Sequence, residues 1–273
     1  AHRAPLWAQG ALWMVVLVIA LLPLAALTLT SLTPAIGVPF SIQVASLDQY
    51  VRVWSNPAVS RAFLNSLTLS GLAAVICVGV ALPLAYLLTR RPSPAATLLD
   101  LSAEVPWVVP GTVVALAMIL AFLPPLPLIG ISLYGTSAII LISYLARFLP
   151  LALRPVVAAA QNGDPGLDEA ARIAGIGLGG RIVRIFMPSV TPAATAGAVL
   201  ILMTAMNELT LSALLWSSGH ETIGVMVFSL QYEGNSTAAA AVSVLSTLLL
   251  FTLCMFAELI LGRTGSSALP WRG

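Results

Sequence analysis

The sequence contains no lysine and few charges of any kind: all 12 basic residues are arginine, and charged residues make up 8% of the chain. A soluble domain carries about 25% charged residues. Because so few charges cannot cover a globule with polar surface, the composition predicts a protein whose solvent is lipid. The missing lysine also excludes a phosphate-binding P-loop, whose lysine reaches the nucleotide phosphates. We therefore do not expect this chain to hydrolyse ATP in that way.

Cysteine and histidine are equally scarce, with two residues of each. Cys77 and Cys254 lie inside apolar runs, which is typical of inert core cysteines rather than of a disulfide or a metal site. Both histidines stand alone, and the sequence has no His/Asp/Glu cluster and no Gly-x-Ser-x-Gly motif. We therefore predict no cofactor, no metal site and no enzyme active site in this chain. The net charge of +2 gives no indication of nucleic-acid binding.

Long apolar runs are what the sequence has in abundance. A bilayer core of about 30 Å requires about 20 mostly apolar residues per helix, and several stretches meet this requirement. They run roughly over residues 10–31, 63–89, 100–123, 135–154, 187–216 and 238–261. The pattern predicts an all-α integral membrane protein with about six transmembrane helices.

The arginines are distributed unevenly between the loops on the two sides of these spans. One side holds Arg3, Arg90, Arg91, Arg154, Arg172, Arg181, Arg184, Arg263 and Arg272. The other side holds only Arg52 and Arg61. Cytoplasmic loops carry the excess of basic residues in membrane proteins. The asymmetry therefore predicts that the arginine-rich side, with both termini, is cytoplasmic.

The loop between the fourth and fifth spans, about residues 155–186, is long, and long loops inside compact proteins are usually functional. Asp164 is a suitable N-cap, Pro165 suits the first helical position, and Gly175 can end a helix in the left-handed conformation. Between them, apolar and small residues recur at helical spacing. These are Leu167, Ala170, Ala171 and Ala174. The pattern predicts a short helix that another protein can approach closely, or else a surface helix that merely covers the bundle.

The same loop carries a motif that is found in permeases of binding-protein-dependent importers: Glu-Ala-Ala, Gly, Ile and Leu-Pro at fixed spacing. The matching residues here are Glu169, Ala170, Ala171, Gly175, Ile185 and Pro188. Met187 replaces the leucine of the motif, which is a volume-conserving apolar exchange. The chain therefore resembles the membrane subunits of ABC importers from about residue 60 to residue 262.

The resemblance implies that the loop forms short cytoplasmic coupling helices that insert into a cleft of a separate ABC ATPase. Its docking core is expected at Glu169, Ala170, Ala171 and Gly175. The implied partners are an ATPase dimer that binds ATP and Mg, a second permease domain, a periplasmic solute-binding protein and the bilayer of the bacterial inner membrane. Nearby Arg172, Arg181 and Arg184 are expected either to pair with acidic residues of the ATPase or to be solvated or lipid-headgroup charges.

The resemblance also suggests a division of the chain. Residues 1–59 are expected to form an N-terminal transmembrane helix with a periplasmic loop, residues 60–262 the permease domain, and residues 263–273 a cytoplasmic tail. Many relatives consist of two such domains fused in one chain, so this sequence is also consistent with a C-terminal half.

Polar residues inside the predicted spans are candidates for the solute path, since ionisable groups within a membrane usually face a cavity or a partner. They are Arg147 in the fourth span and the cluster Asn207, Glu208, Thr210 and Ser212 in the fifth. A purely structural polar network is the alternative. In the third span, Pro106, Pro110 and Gly111 predict a kink or an unwound turn that can also line a cavity.

The segment 207–216, followed by 224–231, is most similar to permeases for ferric iron. Related permeases handle aminoethylphosphonate, thiamine, polyamines or oxyanions such as sulfate, so these solutes remain alternatives. A different class, an ion-driven secondary transporter, would use Glu208 and Arg147 as an ion relay. The importer motif in the long loop argues against that class.

Overall fold

The computed structural model describes residues 6–127, 130–164 and 166–262, and this part of the chain is helical and contains no strand. Its helices are α1 (Leu6–Ser31), α2 (Asp48–Ser55), α3 (Pro57–Arg90), α4 (Pro94–Val108), α5 (Gly111–Phe122), α6 (Ser137–Asn162), α7 (Gly166–Ile173), α8 (Leu178–Arg181), α9 (Met187–Met206), α10 (Ser212–Leu215), α11 (Ile223–Tyr232) and α12 (Ser236–Gly262). A π-helical turn, Ile182–Phe186, joins α8 to α9. The predicted all-α class is confirmed. Pro165 and the predicted tail 263–273 lie outside the described residues.

Within the described residues, five helices are long and apolar enough to cross a membrane, and the broken pair α4–α5 adds a sixth if it is taken as one span. The five are Gln9–Ser31, Pro57–Arg90, Ser137–Asn162, Leu178–Met206 and Ser236–Leu259. The broken pair corresponds to the predicted third span. This arrangement agrees with the prediction of about six transmembrane helices.

The break between α4 and α5 is sharp, with a bend of 113°. Val109 is extended, with φ −74° and ψ 140°, and Pro110 precedes the first residue of α5. A residue before proline is pushed out of the helical region by the proline ring. The kink predicted from the prolines is therefore confirmed, at Pro110, whereas Pro106 is accommodated inside α4.

The fourth and fifth spans differ from their predicted limits. α6 continues past residue 154 to Asn162, because several residues beyond that point are buried apolar side chains of the core. The fifth span begins earlier than predicted, at Leu178, and ends at Met206 rather than near residue 216. The connection between α6 and α8 therefore comprises only residues 163–177 and is shorter than predicted.

Contacts within the chain define two compact units. The first consists of Ala1–Ser60 and Met226–Leu249, and in it the Gln49 side chain on α2 donates a 2.8 Å hydrogen bond to the Pro34 carbonyl. The second consists of Arg61–Val225 and Leu250–Gly273. The predicted boundary near residue 60 between an N-terminal segment and a permease domain stays a prediction.

The core of the second unit includes an extensive crossing of α6 and α9. Gly197 on α9 lies against Ala152 on α6, so closely that an added Cβ would be 2.8 Å from the Ala152 Cα. Small residues allow such close backbone approach between membrane helices. Helix association in a membrane depends on this packing, because lipid is as apolar as the side chains and no hydrophobic effect drives the helices together. Tyr144 and Phe148, both on α6, are fully buried beside this crossing. One candidate site follows the end of α6, and the other follows the end of α9.

Candidate functional site

The connection between α6 and α8 contains the short helix α7, which is fixed at both ends. Asp164 accepts a 2.8 Å hydrogen bond from the Gly166 N–H through its Oδ1. At the other end Gly175 has φ +77°, and the N–H groups of Gly175 and Ile176 bond to the carbonyls of Arg172 and Ala171. This pair of bonds around a left-handed glycine is the Schellman ending of a helix. The predicted helix end at Gly175 is therefore confirmed.

The faces of α7 differ from the predicted small-residue stripe. Glu169 and Ala170 are exposed, but Ala171 is only 6% exposed because it packs against its own chain. The predicted stripe therefore does not form a single exposed face, because Ala171 lies on the side of α7 that packs against the rest of the chain. Ile173, which is not a motif residue, is 86% exposed and lies beside Glu169 and Ala170 at helical spacing.

The buried side of α7 carries an ion pair. Arg181 donates from Nη1 to Asp168 Oδ2 at 3.0 Å, and the Tyr86 hydroxyl donates to Asp168 Oδ1 at 2.9 Å. The Arg181 side chain is only 5% exposed. Both expectations for Arg181, pairing with another protein or standing in solvent, are therefore wrong. Its partner is an aspartate of the same chain.

The remaining motif residues lie where the long helix begins. Ile185 is half-buried on the π-helical turn, and Pro188 is exposed in the first turn of α9. Pro188 has no N–H to donate to the preceding turn. The structure thus places Glu169, Ala170, Ala171 and Gly175 on one connection and Ile185 and Pro188 on the helix that follows it.

The second candidate site is the segment that follows α9. The prediction that its polar cluster lies inside a helix is wrong, because α9 ends at Met206 and the next helix, α10, begins only at Ser212. The Glu208 carboxylate lies in this break and accepts bonds from the N–H of Leu211 at 3.0 Å, the N–H of Ser212 at 3.2 Å and the Thr210 hydroxyl. An anion that binds free N–H groups stabilises the start of a helix. Glu208 therefore caps α10.

This break faces the break between α4 and α5. A Cβ on Gly111 would lie 2.2 Å from Thr210 Oγ1, so only glycine fits at the start of α5. Gly224 similarly lies against the Glu208 carbonyl, 2.9 Å from where its Cβ would be. Tyr144 completes the contact from α6, with its hydroxyl 2.7 Å from Ser212 Oγ. Two interrupted helices thus meet at one polar point, where Gly111 of one lies against the Thr210 side chain of the other.

Arg147 lies near the same contact but hydrogen-bonds to the break between α4 and α5. Its Nη1 donates to the Val109 carbonyl at 2.9 Å, and its guanidinium lies 5.9 Å from the centre of the Trp107 ring. Within the described residues it forms no ion pair with Glu208. The two charges therefore do not form the direct ion relay that a secondary transporter would use.

Several contacts were not expected from the sequence. Arg154 on α6 pairs with Asp100 at 2.8 Å and Glu104 at 2.5 Å on α4, although these acidic residues stand in a predicted span. Their spacing of four residues on one helix face was a signal that they share a partner. The Tyr86 and Tyr144 contacts had no such signal, because their partners are distant in the sequence.

The loop before α11 contains a further buried carboxylate, Glu221. Burial raises its pKa, but hydrogen bonds from the N–H groups of Gly219 and Glu221 and the nearby charge of Arg61 outweigh burial, so the pKa lies below its ordinary value. A depressed carboxyl pKa stabilises the fold above the unfolded-state pKa, and this contribution is lost as the pH falls through the folded-state pKa. Glu221 therefore remains ionised at neutral pH.

A family model described as "Binding-protein-dependent transport system inner membrane component" matches residues 78–264. A probable ABC transporter permease protein of Sinorhizobium fredii is 30% identical over 91% of this chain, which spans 45% of that relative. An Fe(3+)-transport system permease protein of Haemophilus influenzae is 29% identical over 70% of this chain and 37% of its own length. A sulfate transport system permease protein of Escherichia coli is 28% identical over 87% of both. The chain thus spans about half or less of the length of the first two relatives and most of the third.

Two solved structures share the fold. A chain of a bacterial alginate ABC transporter superposes with a TM-score of 0.74 at 20% identity, covering 95% of this chain and 94% of that chain. A chain of the MetNI methionine ABC transporter, in an inward-facing conformation, superposes with a TM-score of 0.60 at 20% identity, covering 77% of this chain and 96% of that chain.

Proposed function

The chain belongs to the family of binding-protein-dependent transport system inner membrane components, and we propose that it forms part of the solute path of an ABC importer. It is a permease subunit and not an enzyme. The proposed partners are an ATPase dimer, which binds ATP and Mg, a second permease domain and a periplasmic solute-binding protein. The observation that carries the proposal is α7, a short helix fixed at both ends with the motif residues Glu169 and Ala170 exposed on it.

We assign the docking face for the ATPase to Glu169, Ala170 and Ile173. These side chains are exposed on α7, with Ile173 at 86%, so a docked protein would bury their apolar surface. Ala171 and Gly175 shape this face from behind, as the buried support and the helix end. The arginine asymmetry supports a cytoplasmic position for α7 and for both termini, in the inner membrane of a bacterium.

The solute path is proposed at the two facing breaks. Asn207 and Thr210 are exposed there, while Glu208 and Arg147 hold the broken backbone of the two segments. Irregular backbone at membrane depth is tolerated only where protein buries it or where it lines a water-filled cavity. Since the two charges do not pair with each other, the alternative of an ion-driven transporter has less support than ATP-driven import.

For the solute we propose ferric iron, as supported by the likeness of segment 207–216 to ferric permeases and by the Haemophilus influenzae relative. The alternatives are sulfate or another oxyanion, aminoethylphosphonate, thiamine and polyamines. The names of two relatives specify solutes of opposite charge, ferric iron and sulfate. This chain is 29% identical to the first relative and 28% identical to the second. Selection is therefore assigned to the binding protein rather than to this chain.

The docking face is tested by Glu169→Arg and Ala170→Trp. Both side chains are exposed, so both variants should insert into the membrane normally while ATPase co-purification falls about tenfold or more, as for central interface residues. The matched control is Glu233→Arg, the same charge change at an exposed glutamate on the opposite side in the proposed topology. Should both α7 variants retain the ATPase as well as the control does, the docking assignment fails.

A further inference from the structure

The side of α7 that faces its own chain holds a polar network that is separate from the docking face. We define this network as Tyr86, Asp168 and Arg181. Asp168 on α7 receives the Tyr86 hydroxyl from α3 at 2.9 Å and the Arg181 guanidinium from α8 at 3.0 Å. One carboxylate of α7 therefore joins two of the long membrane helices, because α8 continues through the π-helical turn into α9.

A second contact closes this arrangement into a ring. The Tyr86 ring meets Phe186, the last residue of the π-helical turn, edge to face at 5.2 Å between centroids. Tyr86 thus touches α7 with its hydroxyl and the start of α9 with its ring. Any displacement of α7 must either break the hydrogen bonds of Asp168 or move α3 and α9 with it.

The start of the connection is anchored to the same helix. Arg90, at the end of α3, donates from Nη2 to the carbonyls of Ala160 and Gly163 at 3.2 Å and 3.3 Å. Ala160 is in the last turn of α6 and Gly163 is its C-cap, and carbonyls at the end of a helix favour a cation. α3 therefore holds both the end of α6, through Arg90, and α7, through Tyr86.

The buried ion pair of this network is not optimal for stability. A buried ion pair gains little over apolar packing unless its remaining donors are satisfied. Here Arg181 Nε is buried and has no acceptor among the described residues. Buried polar atoms without partners are rare, and each calls for an explanation. A contact that links separate helices, rather than one that maximises stability, is one such explanation.

We infer that Tyr86, Asp168 and Arg181 are positioning residues that transmit movement of the docked α7 to α3 and α9. This inference rests on the proposed function, because it assumes that an ATPase docks on α7. The two assignments predict different effects. The network controls how movement of the ATPase is coupled to the membrane helices, whereas Glu169, Ala170 and Ile173 control binding of the ATPase.

The test uses Tyr86→Phe, Asp168→Asn and the double variant Asp168→Asn with Arg181→Gln, each in the complete complex in proteoliposomes. Ferric iron, sulfate, spermidine and 2-aminoethylphosphonate are each presented on the binding protein. The solute that stimulates ATP hydrolysis by the parent complex is then used for all variants. ATPase co-purification should stay within about twofold of the parent, as for changes off an interface. Solute-stimulated ATP hydrolysis should fall about tenfold, within the usual range of coupling between sites. The matched control, Tyr232→Phe, removes the hydroxyl of an exposed tyrosine and should change neither quantity.

The double variant separates transmission from packing. It removes both buried charges together, so its thermal midpoint should recover toward that of the parent while stimulated hydrolysis stays low. If stimulation recovers together with the midpoint, the network is only structural and the inference is wrong. Unchanged stimulation in all three variants would also overturn it, as would loss of ATPase co-purification in Tyr86→Phe at an unchanged midpoint. Retained ATPase co-purification in Glu169→Arg would count against the docking face and would not test the network.

Discussion

Glu208→Ala is expected to reduce solute uptake to near background while leaving ATPase co-purification intact. The carboxylate is 8% exposed and caps α10 through the N–H groups of Leu211 and Ser212. Alanine would leave these buried donors without an acceptor, at a cost of about 1–3 kcal/mol for each unsatisfied group. The segment that faces Gly111 would then lose its shape, and the proposed path would lose one of its two walls. Uptake into proteoliposomes measures this directly.

Glu208→Gln separates the two roles of this carboxylate. The amide keeps one oxygen that can accept a backbone N–H but removes the charge. Substantial uptake in the glutamine variant would show that Glu208 acts as a cap, whereas equal loss in both variants would show that its charge is required in the path. Glu233→Ala, at an exposed glutamate, serves as the control. Normal uptake in Glu208→Ala would mean that the path has been placed wrongly.

Gly197→Leu is expected to destabilise the whole membrane domain. A Cβ at this position would lie 2.8 Å from the Ala152 Cα and 3.0 Å from the Leu151 carbonyl oxygen. These are backbone atoms that cannot rotate away, so α6 and α9 must separate. Overpacking of a core usually costs about 1–3 kcal/mol, and we expect the upper end here because no flexible side chain can yield. The apparent melting temperature in detergent, followed by size-exclusion chromatography, measures the loss.

Gly71→Leu is the matched control for this substitution. Gly71 lies on α3, and an added Cβ there would meet no atom of the described chain within 4 Å. Its leucine variant should melt close to the parent, since a leucine in a membrane helix with open space is favourable in lipid. Equal melting temperatures for the two variants would show that the α6–α9 crossing is not the point of closest packing.

The elements that could be predicted from the sequence are those with local causes. The break before α5 follows from Pro110 acting on the residue before it, and the end of α7 follows from Gly175 adopting φ +77°. Apolar length alone located the long helices within a few residues at most ends. The motif from Glu169 to Pro188 indicated the family, which the family model then showed.

The features that sequence reasoning missed depend on residues that meet only in the folded chain. Arg181 was expected in solvent or on a partner, because nothing near it in the sequence reveals that it is buried and paired with Asp168. The end of α9 at Met206 is marked by no proline or glycine, and the Glu208 carboxylate binds backbone groups beyond it. Burial of Ala171 likewise requires knowledge of which side of α7 faces the bundle.

In the proposed function, solute crosses the membrane through this chain only when a separate ATPase drives transport. The most direct measurement is uptake into proteoliposomes that contain the purified complex and the loaded binding protein, with and without ATP on the ATPase side. We predict uptake only when both ATP and the ATPase chain are present, and no change when ionophores collapse the ion gradients. Uptake by this chain without ATP, driven by an imposed ion gradient and abolished by ionophores, would contradict the account.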